Sequence, residues 1–205
     1  MHTDAEQHLS RVDPVLARVI SEVGPCSMRP RRNCQPFQSL VQSVAHQQLN
    51  GRAAQTILKR FIALFPDQKF PTPEALATSS DELLRSAGLS RAKAAAIKDI
   101  ALKTCSGLVP TRRAAARLSD AELIAGLTEI RGVGPWTVEM FLMFTLGRRD
   151  VLPVGDYGVR CGFAKAYGWK ELPTPKELLA EGERWRPYRS IASWYMWRVL
   201  DAPKG

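Results

Sequence analysis

Apolar residues recur along this chain at helical rather than strand spacing. Leu9, Val12, Val15, Leu16, Val19 and Ile20 keep an i, i+3, i+4 rhythm that stops at Gly24-Pro25. A basic, irregular stretch follows over 26–36, with Arg29, Arg31 and Arg32. Helical patterning resumes over 37–48 and, after a break at Leu49-Asn50-Gly51, over 52–65. Thr72-Pro73-Glu74 places an N-cap threonine before a proline at the first helical position. Ser79-Ser80-Asp81-Glu82, Ser119-Asp120-Ala121-Glu122 and Thr174-Pro175-Lys176-Glu177 each fit a capping box ahead of an apolar rhythm. These signals predict further helices over 82–87, 92–105, 121–130, 135–146, 158–167, 176–183 and 188–200.

No segment alternates like a half-buried strand, and Pro153 argues against a strand in Val151–Val154. The expectation is an all-α chain of about ten helices joined by short loops. It forms a single domain over 1–205 in two lobes, a middle one over about 50–145 and another from both termini, with a cleft between them.

Lys and Arg outnumber Asp and Glu by 29 to 20, a formal charge of +9. A balance this basic fits a polyanionic partner as well as an ordinary soluble basic protein. Cys26, Cys34, Cys105 and Cys161 form no CxxC pair and have no histidine at metal-ligand spacing. They read as reduced, mostly buried thiols. No apolar run approaches the ~18 residues of a spanning helix. The polar, helix-like start does not read as a leader.

Two helical patterns meet at Gly132-Val133-Gly134, expected over about 120–147 as a helix-hairpin-helix. The glycines permit positive φ and close backbone approach, and Pro135 suits the first turn of the second helix. Bare N–H groups at such a turn favour an anion, and the Thr137 hydroxyl stands near enough to join them. Taken alone, Gly-x-Gly fits an ordinary helix–helix turn equally well. A second glycine turn at Gly88 is flanked by Arg85, Arg91, Lys93 and Lys98, residues suited to phosphate contacts that position a duplex. Asp156, after Gly155, reads by itself as the cap of a helix starting near Tyr157 or Gly158.

The segment LxxIRGVGPWTVEMFL, followed by VLPVGDYGVRCG, resembles the hairpin and aspartate motif of the helix-hairpin-helix DNA glycosylases. Three further segments, over 37–61, 84–101 and 185–197, are similar to its DNA-3-methyladenine glycosylase II branch. The resemblance spans roughly 37–200. It implies that Asp156 is the catalytic acid, facing the deoxyribose as positive charge develops there. Cap and catalyst are compatible roles. Where lyase-competent members carry a lysine at the start of the second hairpin helix, this chain has Trp136, which forms no Schiff base.

The same resemblance implies a pocket for an extruded base built from Trp136 and Trp197, with Met140 one helical turn after Trp136. Trp185 and Trp194 read instead as core. Gly132, Val133, Gly134 and Thr137 would hold the DNA backbone, and Leu49, with Gln48 beside it, would wedge into the duplex. The alternative for Leu49 is a core leucine at a helix end, and His46 reads as a hydrogen-bonded structural residue. No cysteine follows Cys161, so no iron–sulphur cluster is expected, nor any side-chain metal site. The hairpin carbonyls near Gly132 are a candidate seat for sodium or potassium.

The expected protein is therefore a cytoplasmic monomer, beside nucleoid DNA, acting on double-stranded DNA with damaged bases. It would release alkylated purines of the 3-methyladenine and 7-methylguanine type and leave an abasic site. The alternatives are a non-catalytic lesion-binding protein and a glycosylase for deaminated or oxidised bases.

Overall fold

The computed structural model describes residues 2–31, 33–49 and 51–201. Arg32 and Asn50 lie outside the described residues. Among those described there are thirteen α-helices and no strand. They are α1 (Thr3–Val12), α2 (Pro14–Val23), α3 (Pro36–His46), α4 (Gly51–Ala63), α5 (Pro73–Thr78), α6 (Asp81–Ser86), α7 (Arg91–Cys105), α8 (Arg112–Ala115), α9 (Asp120–Leu127), α10 (Pro135–Phe141), α11 (Tyr157–Tyr167), α12 (Pro175–Gly182) and α13 (Arg189–Asp201). None is long and apolar enough to cross a membrane. The chain divides into two compact units, Arg31–Leu146 and Met1–Pro30 with Gly147–Gly205.

In the Arg31–Leu146 unit, α7 packs against α3, α5 and α6, and α10 packs on α3 and α9. Because α3 is part of this packing, the unit begins at 31 rather than near 50. Its cap chemistry is local. Thr72, Ser90 and Thr111 each accept a backbone N–H at a helix start, and Ser119 with Glu122 closes a capping box. The box expected at Ser79 does not form. Ser80 is the N-cap of α6, while Ser79 ends α5 and donates to the Ala75 carbonyl at 2.6 Å. The helix expected to continue to Leu146 widens into a π turn over Leu142–Leu146. Its carbonyls are captured from outside the helix: Arg31 N–H reaches Phe144 O at 2.8 Å and Arg112 reaches Thr145 O at 2.6 Å.

In the other unit, the rhythm from Leu9 to Ile20 is cut at Asp13-Pro14 into α1 and α2. Pro14 takes the first helical position of α2, and Asp13 Oδ1 accepts the Val15 and Leu16 N–H groups at 3.0 and 3.1 Å. Asp13 is fully buried. Its other oxygen accepts from Tyr167 Oη at 2.5 Å and Trp185 Nε1 at 2.8 Å, tying α2 to α11 and to the turn after α12. Burial, reinforced by the Asp13 carboxyl, pushes the Tyr167 phenol well above its usual value.

Helices α11 and α13 pack closely in this unit. A Cβ on Gly162 would sit 2.0 Å from the Met196 carbonyl oxygen, so only glycine lets these backbones meet. The loop running to Asp156 is anchored on the first turn of α13. Ser190 N–H donates to Arg149 O at 3.0 Å and its hydroxyl to Arg148 O at 2.8 Å, while Val151 N–H donates to Ser190 Oγ at 2.9 Å. Buried Arg189 grips Asp150 through Nε at 2.7 Å. All four cysteines are free, but only Cys26 and Cys34 are buried; Cys105 is exposed and Cys161 half-buried. Burial pushes the Cys26 thiol up to about 11.

Candidate functional site

Asp156 is half-buried at the N-cap of α11. Its Oδ1 accepts the Val159 N–H at 2.7 Å and the indole Nε1–H of Trp197 at 2.9 Å. The cap therefore forms, and it fixes the carboxyl group from two sides. One donor is local to the cap; the other comes from α13. Trp197, expected as a flat pocket wall, thus also orients the acid through its ring edge.

Gly158 makes room for this pair. A Cβ there would lie 2.9 Å from Trp197 Cδ1, 3.0 Å from Nε1 and 3.1 Å from Asp156 Oδ1. Gly158→Ala is expected to push the indole off Asp156. The base release that the resemblance implies should fall about tenfold, the effect of one lost hydrogen bond of ~1.4 kcal/mol, while the melting temperature changes by only a few degrees. Single-turnover release beside thermal unfolding checks both.

The hairpin lies between α9 and α10. Its two helices zip through Leu123, Leu127, Ile130, Val138, Phe141 and Leu142, all buried. Gly132 holds φ +75. The Gly132 and Gly134 N–H groups have no acceptor among the described residues, leaving two donors for an outside oxygen. Val133 departs from expectation: its side chain is buried and its N–H donates to Ile130 O at 3.0 Å, so it anchors the tip. Thr137 departs too. It is 1% exposed, and its Oγ1 accepts from Gln47 Nε2 at 3.2 Å, which turns the hydroxyl inward. The Gly132 carbonyl, a candidate cation ligand, accepts Gln47 Nε2 at 3.0 Å.

Leu49 and Gln48 are exposed beyond the end of α3, Leu49 by 38%. Gln48 adopts φ +56, the single non-glycine residue with positive φ among those described. The core alternative for Leu49 is thereby excluded. His46 Nδ1 donates to Gln42 O at 2.7 Å; a carbonyl can only accept, so the proton sits on Nδ1. Trp136 is 39% exposed on the first turn of α10, with Met140 half-buried one turn later. Trp136 and Trp197 belong to different units. Trp185 and Trp194 are buried, as core residues should be.

Of the basic residues beside the second glycine turn, Arg85 and Arg91 are exposed. Lys98 instead pairs with Asp81 at 2.9 Å, and Lys93 donates to the Ala45 and Gln47 carbonyls. Those two therefore serve the protein rather than a phosphate. Gln47, Lys93 and Asp99, which bond Thr137 Oγ1, the Gln47 carbonyl and the Arg131 N–H, form internal links that sequence reasoning did not single out. Their partners lie 32 to 90 positions away, beyond any local pattern.

A family model described as HhH-GPD superfamily base excision DNA repair protein matches residues 41–187. The chain is 41% identical over 200 residues to DNA-3-methyladenine glycosylase 1 of Schizosaccharomyces pombe, across 96% of this chain and 87% of that protein. A solved structure of the 3-methyladenine DNA glycosylase of that yeast in complex with abasic DNA matches at a TM-score of 0.92 and 38% identity, covering 98% of each chain. A DNA-3-methyladenine glycosidase from Bacillus halodurans matches at 0.82 and 36% identity, over 95% of this chain and 88% of that one. A match over residues 41–187, carrying both the hairpin and Asp156, makes this chain a member of the HhH-GPD superfamily of base excision DNA repair proteins.

Proposed function

We propose that this protein is a monofunctional DNA glycosylase that hydrolyses the bond between an alkylated purine and its deoxyribose in duplex DNA. The observation that carries the reading is Asp156, held by the Val159 N–H and the Trp197 indole within the stretch matched by the family model. The Gly132 and Gly134 N–H groups grip the DNA backbone, with exposed Arg85 and Arg91 adding phosphate contacts. Leu49 enters the duplex, and the damaged nucleotide turns out of the stack. Trp136, exposed on the first turn of α10, offers an aromatic face to the cationic base.

The bond from C1′ to the base nitrogen then breaks, and its electron pair neutralises the departing base. Asp156 stabilises the oxocarbenium-like sugar and orients the water that attacks C1′. The water's proton passes to solvent. Trp136 has no amine to trap the sugar, so the product is an abasic site in an unbroken strand. Incubation with alkylated duplex DNA should release methylated purines, identified by mass, and leave strands that break only with alkali. Absence of release across an alkylated panel would mark a binding protein; breakage without alkali would mark a lyase.

A further inference from the structure

The hairpin and the Leu49 loop are fastened to the same helix, α7. Three of its residues, each about one turn apart, make the attachments. Lys93 Nζ donates to Ala45 O at 2.9 Å and Gln47 O at 2.7 Å, closing the end of α3. Desolvation among these groups draws the Lys93 ammonium below its usual pKa. A Cβ on Gly132 would meet Ala96 Cβ at 2.8 Å, so the hairpin tip rests directly on α7. Asp99 Oδ2 accepts the Arg131 N–H at 2.8 Å. Gln47 completes the circuit, spending both amide hydrogens on the hairpin, at Gly132 O and Thr137 Oγ1. The next residue, Gln48, stands in the left-handed region, a conformation that persists where its surroundings over-determine it.

We infer that Gln47 and Lys93 are positioning residues that lock the Leu49 loop to the hairpin through α7. Seating the hairpin on the DNA backbone then fixes where Leu49 enters the stack. The inference rests on the proposed role of Leu49 as a wedge. It separates positioning from simple support. Loss of support slows every substrate alike. Loss of wedge position slows only those whose base must be driven out of a paired stack, since an unpaired base is already cheaper to extrude.

The test compares single-turnover release of one alkylated purine placed either in a paired duplex or opposite an abasic gap. Gln47→Met keeps the side chain's length and removes both donors. It should slow release from the paired duplex about tenfold, with less than about a threefold change opposite the gap. Lys93→Met attacks the same link from its other end and should show the same selectivity, whatever the folding of Gln47→Met. Adding Gln47→Met to Leu49→Ala should cost little beyond Leu49→Ala alone, because the position of an absent wedge is immaterial. Equal slowing on both substrates, or full additivity with Leu49→Ala, would overturn the inference. A normal rate for Leu49→Ala on paired DNA would overturn it through the wedge. No release by the unaltered protein from either substrate would instead refute the glycosylase reading on which it stands.

Discussion

Asp156→Asn is expected to cut base release from alkylated duplex DNA by about three orders of magnitude with little change in folding or DNA affinity. The size follows from charge. A carboxylate about 4 Å from a developing cation, at an effective dielectric constant of ~20, contributes about 4 kcal/mol, or about a thousandfold in rate. The selectivity follows from the hydrogen bonds. An asparagine Oδ1 accepts the Val159 N–H and the Trp197 Nε1–H as Asp156 Oδ1 does, and asparagine caps a helix as well as aspartate. Asp156→Ala removes charge and cap together, and should add about 1 kcal/mol of instability. Single-turnover release, fluorescence anisotropy with undamaged duplex and thermal unfolding separate the three quantities. An asparagine variant within tenfold of the parent rate would remove Asp156 from the chemistry.

Gly162→Ala should produce the largest loss of stability. The added Cβ would stand 2.0 Å from the Met196 carbonyl oxygen and 2.6 Å from its carbon. Both obstacles are backbone, so no side-chain rotation relieves the clash and the two helices must part. Overpacking that moves backbone costs on the order of 3 kcal/mol. For a chain of this size that is a fall in melting temperature of about 6–12 °C. Activity should fall as well, because Asp156 caps α11 and α13 carries Trp197, so parting them stretches the Trp197–Asp156 hydrogen bond. A melting temperature within 2 °C of the parent would show that α11 and α13 separate easily.

What was legible in the sequence was mostly chemistry completed within four residues. Thr72, Ser119 and Thr174 act as caps because the donors they accept belong to the next turn. The all-helical class and the hairpin followed from apolar rhythm and two glycines. The break at Asp13-Pro14 was hidden because the rhythm runs through it; buried Asp13 reveals itself only through Tyr167 and Trp185, more than 150 positions away. The inward turn of Thr137 depends on Gln47, 90 positions earlier. The need for glycine at 158 and 162 depends on a helix that no local pattern brings near. The acid was legible by position in a motif, but the indole that orients it was not, because Trp197 lies 41 positions further on.

The two compact units differ in how the chain supplies them. Arg31–Leu146 is one uninterrupted stretch, whereas the unit holding Asp156 joins both ends, with Tyr195 Oη reaching Glu6 across 189 positions. On a ribosome adding about 5–20 residues per second, the Arg31–Leu146 unit is synthesised whole before Asp156 is made. Helices α1 and α2, made earlier, gain their packing against α11 and α13 only once those helices emerge. The two units are therefore completed in order, the Arg31–Leu146 unit before the segment that carries Asp156.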